Sequence, residues 1–482
     1  MASRPASIYC QQLWRRPPVL SGNSARIVQA PKVAAIFDPS IADVLLKTRL
    51  RSQAALDPDF WSFKKDAIRE NTHAFFQYPA MMVPQMLARL LSDVQAVRPE
   101  IRSVFDPFAG SGTVLTEAML RGLDFYGRDI NPLAVLLCRV KAGPFDVEKL
   151  RDRAARLRDR ITMDSGQSIE VRFKGWHKWF RKDVAIRLSR IVRGIRKENC
   201  LWSRRFFWIA LAETTRLVSN SRTSTFKLHI RPTHESNHRA LRPERTFGEI
   251  LESNINQLEA KRGLLQGMNK LASSHYTGVA KVDLGDSSTI WNANNRPQYD
   301  LLITSPPYGD NTSTVPYGQH SYLPLQWIDL ADVEPKVNRD LVSNTHAIDS
   351  RSLGGSRKDA IKGSLDVQRR SPSLAKVLKE LGSIRPEAQG RVAAFFRDLN
   401  RSIDPILSHL KPNAYMFWVV GNRRVAERLI PLQDILTELL CDRKAVCVTT
   451  FERRIHSKRM AVRNDTAQTM RKETILVLRK AI

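Results

Sequence analysis

Ser305-Pro306-Pro307-Tyr308 follows the apolar run Leu301-Leu302-Ile303, and its residue types suit one kind of chemistry. Two successive prolines stiffen the backbone and remove two N–H donors, leaving carbonyl oxygens available as acceptors. An amino group that attacks an electrophilic methyl needs acceptors for its two N–H bonds, so that its lone pair can face the carbon. The Ser305 hydroxyl and the Pro306 carbonyl suit that task. Tyr308 offers an aromatic face for an extruded base and for the positive charge that grows on nitrogen. The same four residues would also serve as a proline-rich strand end with a packed tyrosine, so the loop alone leaves both readings open.

A second group lies upstream. The strand-like run ending in Asp106 is followed by Gly110-Ser111-Gly112, where backbone N–H groups can approach a ligand closely at the start of a helix. Asp129, 23 residues beyond Asp106, closes a second strand-like run. That spacing matches a carboxylate that accepts hydrogen bonds from a ribose hydroxyl pair. The pattern points to a nucleoside-containing cofactor without saying which, and a dinucleotide site would look similar. A dehydrogenase, however, has no use for Ser305 through Tyr308.

These corners need a sheet to position them. Ile101–Asp106 and Phe125–Asp129 read as strands separated by the glycine turn and a helix carrying Val114, Leu115, Ala118 and Met119. Asn131-Pro132 opens another helix, giving a strand–turn–helix–strand unit of the doubly wound α/β type. The α/β pattern resumes at Val279–Val282 and Leu301–Ile303. It continues through a helix (Val392–Leu410), a strand (Tyr415–Val420), a further helix (Ile430–Leu440) and two final strands, Ala445–Thr450 and Thr474–Leu478. Side chains after such strands face the crevice at the carboxyl edge of the sheet.

The chain therefore divides into a basic N-terminal arm (1–59), a first, cofactor-binding part of the core (60–145), a basic and mostly helical insertion (146–275), a catalytic part of the core (276–330), a polar insertion or loop (331–390) and a C-terminal part of the core (391–482). The arm contains Arg4, Arg15, Arg16, Arg26 and Lys32 and no acidic residue before Asp38. It weakly resembles a transit peptide but reads equally as a nucleic-acid-touching arm.

Charge supplies the partner class. Lys plus Arg total 77 against 48 Asp plus Glu, a formal surplus of +29, which is the footprint of a protein that sits on a polyanion. Residues 151–270 hold 27 Lys/Arg and 12 Asp/Glu, so about half of that surplus falls in the helical insertion. There Trp176, Trp179, Phe180, Trp202, Phe206, Phe207 and Trp208 stand among arginines. Exposed, they would stack on bases beside phosphate-neutralising Arg204 and Arg205; buried, they would be the insertion's own core. The five cysteines (Cys10, Cys138, Cys200, Cys441, Cys447) form no CxxC and none follows a proline. Neither a zinc site nor the nucleophile context of cytosine C5 methylation is present, and no metal is expected. No apolar run approaches the roughly 18–20 residues of a membrane span. The expectation is a cytoplasmic protein.

The sequence resembles the amino-type, site-specific DNA methyltransferases of bacteria. Asp106-Pro107-Phe108-Ala109-Gly110-Ser111-Gly112-Thr113 looks like their cofactor motif, and Gly127 through Pro132, with Asp129, Ile130 and Asn131, is similar to their ribose-binding segment. Gly285-Asp286-Ser287 resembles the segment whose Asp contacts the cofactor adenine, and Ser305 through Tyr308 their catalytic loop. His73 and Phe76-Gln77-Tyr78-Pro79-Ala80, followed by Pro84, resemble the segment that closes over the methionine end of the cofactor. Gly309-Asp310-Asn311-Thr312 and Met470–Lys480 also fit.

The resemblance implies a class I methyltransferase fold, a Rossmann-like α/β sheet of seven mostly parallel strands with an antiparallel C-terminal hairpin strand. It implies S-adenosyl-L-methionine as cofactor, double-stranded DNA as substrate and possible pairing with a cognate restriction endonuclease. The reaction would be direct displacement on a flipped base, with positioning and electrostatics as the catalytic means. Ser at the head of the loop favours cytosine N4 over adenine N6. Arg204, Arg205, Asn311 and Gln319 are the expected DNA contacts, and the loop containing Gln319, His320 and Trp327 competes with the insertion as the base-reading element. An RNA guanine-N2 methyltransferase, or a nucleic-acid-binding protein with an inactive core, are the more distant alternatives.

Overall fold

The computed structural model describes residues 38–63, 71–289, 297–309, 315–455 and 472–481. Its centre is a seven-stranded sheet, made of β1 (Ser103–Asp106), β2 (Asp124–Asp129), β3 (Ala280–Leu284), β4 (Tyr299–Thr304), β5 (Leu410–Val420), β6 (Val446–Arg454) and β7 (Lys472–Arg479). The strand order is β3-β2-β1-β4-β5-β7-β6. Only β7 runs against the others, pairing antiparallel with both β5 and β6. This is the expected class I methyltransferase sheet. The order reverses beside β1, so β1 and β4 flank the topological switch point where such sheets bind ligands.

The central strands are short apolar runs because both faces are covered. Ser103–Asp106 is buried throughout, and Leu301 to Thr304 are fully enclosed. The covering helices are α1 (Pro39–Leu56), α2 (Pro84–Val97), α3 (Thr113–Leu120), α4 (Pro132–Lys141), α5 (Val147–Met163), α6 (Lys182–Arg196), α7 (Leu201–Val218), α8 (Pro243–Gly267), α9 (Tyr317–Gln326), α10 (Pro372–Ile384), α11 (Pro386–Ser408) and α12 (Leu432–Cys441). Local chemistry starts several of them. Pro84 occupies the first turn of α2, with Met86, Leu87, Leu90 and Leu91 buried at helical spacing. The Asn131 side chain caps α4 by accepting from Leu133 N at 3.0 Å, with Pro132 in its first turn. Gly112 opens α3 at φ +70°, and a Cβ there would lie 2.8 Å from Cys138 Sγ.

Two stretches differ from their sequence reading. Residues 39–56, read as part of a basic arm, form α1, which buries Ala42, Leu46 and Leu50. Asp43 of α1 accepts from Arg479 Nε at 3.0 Å and from Tyr415 Oη at 2.8 Å, tying the helix to the sheet. The arm's residues 1–37 lie outside the described residues. The segment 331–390, read as a polar loop, is mostly short helices that end in α10. Leu374, Val377, Leu378 and Leu381, spaced three and four apart among charges, place one face of α10 in the core.

The basic insertion is helical as read, and its packing selects between the two readings left open for its aromatics. Helices α7 and α8 pack on each other, and α7 also packs on α4 and α9 of the core. Trp179, Phe180, Phe206, Phe207 and Trp208 are buried, while Trp176 and Trp202 are half-buried. Its aromatics thus form its own core and its seam with the sheet. Among the described residues, no helix is long and apolar enough to cross a membrane.

Candidate active site

Strands β1 and β4 are adjacent and parallel, with Val104 opposite Leu301 and Phe105 opposite Leu302. Their carboxyl ends therefore emerge side by side, one into the glycine elbow and the other into the diproline corner. Thr304 Oγ1, at the end of β4, donates to Asp106 Oδ1, at the end of β1, at 2.7 Å. The same oxygen accepts from Phe108 N at 3.1 Å. Asp106 Oδ2 is buried with no hydrogen-bond partner among the described residues. Burial raises the Asp106 carboxyl to about 7, against the opposing pull of Thr304 and Phe108.

The elbow is held from two sides. Asp129, at the end of β2, accepts from Gly110 N and from Asn131 N, each at 2.8 Å. Burial raises its carboxyl to about 6, opposed by these backbone donors. From behind, the buried Lys141 ammonium donates to the Ser111 carbonyl at 2.7 Å. The return from β3 is bound to the same place: Gly285 N donates to Asp129 O at 2.9 Å, and Ser287 Oγ donates to the Pro107 carbonyl. Asp286 therefore reaches the elbow despite the long insertion between β2 and β3.

One cleft collects most of the sequence-predicted site. Pro79, Phe108, Gly110, Thr113, Asp129, Ile130, Asn131, Asp286, Ser305 and Pro307 all line a single space of about 1340 Å³, open solvent at its mouth included. Asp106 is buried beneath it. Gly112, Pro306 and Tyr308 do not line it. Gly112 starts the helix behind the elbow. Tyr308 borders a smaller neighbouring cavity with Phe395 and Phe396.

Tyr308 is turned inward by its hydroxyl, which lies 2.9 Å from Ser305 Oγ and 3.2 Å from Glu473 Oε1. Glu473 is itself paired with Arg453, whose Nε is 2.7 Å from Oε2. A carboxylate paired with arginine only accepts, so the Tyr308 hydroxyl donates to Glu473 and the Ser305 hydroxyl donates to Tyr308. Both lone pairs of Ser305 Oγ are then left as acceptors.

Sequence reasoning missed several residues here. Glu473 and Arg453 stand on the C-terminal hairpin, far along the chain from Tyr308, and carry no local signal. Tyr317 lines the cleft with its ring 5.9 Å from that of Tyr78. Tyr78 in turn accepts from Asn131 Nδ2 at 3.2 Å. Part of the supposed loop, including Arg351 and Ser352, and Arg401 of α11 form the opposite wall.

Three of the expected DNA contacts lie among the described residues. Arg204 pairs with Asp332 through Nε at 2.9 Å and Nη2 at 2.8 Å, and Arg205 donates to the Asp332 carbonyl at 2.5 Å. Trp208 Nε1 adds a third bond to that carboxylate at 2.7 Å. These arginines fasten α7 to the chain after α9. Gln319 is half-buried and accepts from Leu228 N at 3.3 Å, at the seam between α9 and the insertion. Asn311 lies outside the described residues.

No protein-family model matches the chain. It is 32% identical over 451 residues to the type II methyltransferase M.MvaI of Kocuria varians, an alignment covering 88% of this chain and 94% of that protein. It is also 31% identical over 96 residues to the type II methyltransferase M.MjaII of Methanocaldococcus jannaschii, covering 19% of this chain and 18% of that protein. With the first likeness running nearly end to end, over a sheet of this order, the chain belongs to the family of type II, site-specific DNA methyltransferases.

Proposed function

We propose that the cleft methylates an exocyclic amino nitrogen of a base in double-stranded DNA, with cytosine N4 as the target, as the modification partner of a restriction endonuclease. The observation that carries this reading is the shared cleft: the elbow residues Gly110 and Asp129 line it together with Ser305 and Pro307.

The residues present fit S-adenosylmethionine. Gly110 leaves the elbow without a side chain, the Asp129 carboxylate stands at the end of β2 where a ribose pair is recognised, and Phe108 and Asp286 share one wall. When bound, this cofactor supplies a methyl group activated by a sulfonium charge. The protein's part is to orient the nucleophile. Ser305 Oγ, which lines the cleft and has its own proton committed to Tyr308, accepts one amine N–H. The amine lone pair is then aimed into the cleft. Serine at this position, rather than Asp or Asn, supports cytosine as the target.

The test is to incubate purified protein with duplex DNA and isotope-labelled cofactor, then to identify the labelled nucleoside by mass spectrometry. N4-methylcytosine supports the proposal in full. N6-methyladenine retains the amino-methyl chemistry and overturns the choice of base.

A further inference from the structure

Gln77 is gripped at three atoms by two elements outside the cofactor-binding part of the sheet. Its backbone N–H lies 3.4 Å from Glu213 Oε2, and its side-chain Oε1 accepts from Arg216 Nη2 at 3.0 Å. Both partners stand on α7, in the insertion, and Arg216 Nε also bonds Glu213 Oε2 at 3.0 Å. The Gln77 carbonyl accepts from His320 Nε2, on α9, at 2.8 Å. A carbonyl only accepts, so this ring carries its proton on Nε2. Burial lowers the His320 imidazole to about 4, which keeps it neutral near pH 7.

The grip is enclosed. Gln77 is 9% exposed, and the Glu213 and Arg216 side chains are 14% and 12% exposed. Little water competes for these bonds, so they hold position better than surface pairs do. The next residues in the chain, Tyr78 and Pro79, line the cleft. The Tyr78 ring lies 3.7 Å from where a Cβ on Gly110 would stand. Any movement of Gln77 therefore moves the strap that crosses the elbow.

We infer that Glu213, Arg216 and His320 are positioning residues for the cofactor, acting through Gln77 to hold the Tyr78–Pro79 strap over the glycine elbow. The insertion would then complete the cofactor site. This rests on the reading of the cleft as an S-adenosylmethionine site.

The experiment uses the full chain as wild type, Arg216→Met, Arg216→Lys, Gln77→Met and the double variant Arg216→Met/Gln77→Met. Cofactor affinity is measured by calorimetry with S-adenosylmethionine, steady-state kinetics are run on duplex DNA, and folding is checked by circular dichroism. Arg216→Met should raise the cofactor Kd and KM about tenfold, as expected for one charge-assisted hydrogen bond, with kcat at saturating cofactor within about twofold. The double variant should be no weaker than the worse single one, because both changes break the same contact. Arg216→Lys keeps the charge beside Glu213 and should lie between wild type and Arg216→Met; it serves as the reading if the methionine variant does not fold. Unchanged cofactor affinity in a folded Arg216 variant, or a fall in kcat with KM unmoved, overturns the inference. Wild-type protein that binds no S-adenosylmethionine overturns the reading of the cleft itself, and this inference with it.

Discussion

The hydroxyl of Thr304 and the carboxylate of Asp106 are joined by a 2.7 Å hydrogen bond that ties the last residue of β4 to the last residue of β1. Because one strand feeds the diproline corner and the other the glycine elbow, this bond fixes the separation of the two. Methyl transfer depends on such a separation, since reacting atoms must be held near contact and in line.

Thr304→Val keeps the shape and removes the tie. It leaves a buried carboxylate one donor short, which costs about 1–3 kcal/mol. Urea unfolding should show that loss, and kcat should fall along with it. Unaltered stability and kcat would mean the bond does not position the corners.

Asp106 also predicts a pH effect with a definite sign. Its carboxyl titrates near 7 in the folded protein, against 3.8 for the ordinary group. Between those values the folded state holds a proton that the unfolded chain releases, so this group's contribution to stability is present at low pH and is lost as pH rises toward 7. At ~1.4 kcal/mol per pH unit the difference amounts to a few kcal/mol. The buried Lys141 and Lys261, lowered by burial to about 8 and about 7, work in the opposite direction at higher pH. The comparison with Asp106→Asn isolates the aspartate. Relative to wild type, that variant should gain stability between pH 4.5 and 8, and a pH-independent difference would contradict the argument.

Under the proposed chemistry, Ser305→Ala removes an amine acceptor without touching the elbow. It should lower kcat by roughly 10²–10³, the scale for one preorganised hydrogen-bonding partner, and leave cofactor affinity within about twofold. Tyr308→Phe keeps the ring but frees the Ser305 proton from its fixed direction, and should cost about tenfold in kcat. Calorimetry paired with single-turnover methylation separates the two properties; loss of cofactor binding in either folded variant would show that the chemistry has been misplaced.

Asp332 accepts from Arg204, through two nitrogens, and from Trp208, and it is 8% exposed. Asp332→Ala strands these donors and should destabilise the protein by about 3–5 kcal/mol in urea unfolding. A change below about 1 kcal/mol, the scale of a surface pair, would mean the arginines are held otherwise.

The parts of this site that were legible in the sequence are those encoded over short distances. Asp106 to Thr113 is one strand end, one turn and one helix start, Asp129 follows at the spacing of a single strand–helix–strand unit, and Ser305 to Tyr308 are consecutive. The final hairpin was legible for the same reason, from two apolar runs near the C-terminus. Contacts between distant segments left no such pattern. Nothing around Glu473 or Arg453 announces that they meet each other across β6 and β7 and anchor Tyr308. Nothing near Arg204 and Arg205 in the sequence shows that the fold brings Asp332 against them. The segment 331–390 reads as a polar insertion or loop because its apolar residues are interleaved with charges and with Gly354-Gly355, and only the fold shows which of them pack.

The most direct test of the account is the identity of the product on DNA. Duplex DNA methylated by the purified protein, digested and resolved by mass spectrometry, should carry its new methyl group on an exocyclic nitrogen, as N4-methylcytosine, and Ser305→Ala should remove that signal. A methyl group found on a ring carbon, as in 5-methylcytosine, or no methyl group at all, would contradict it.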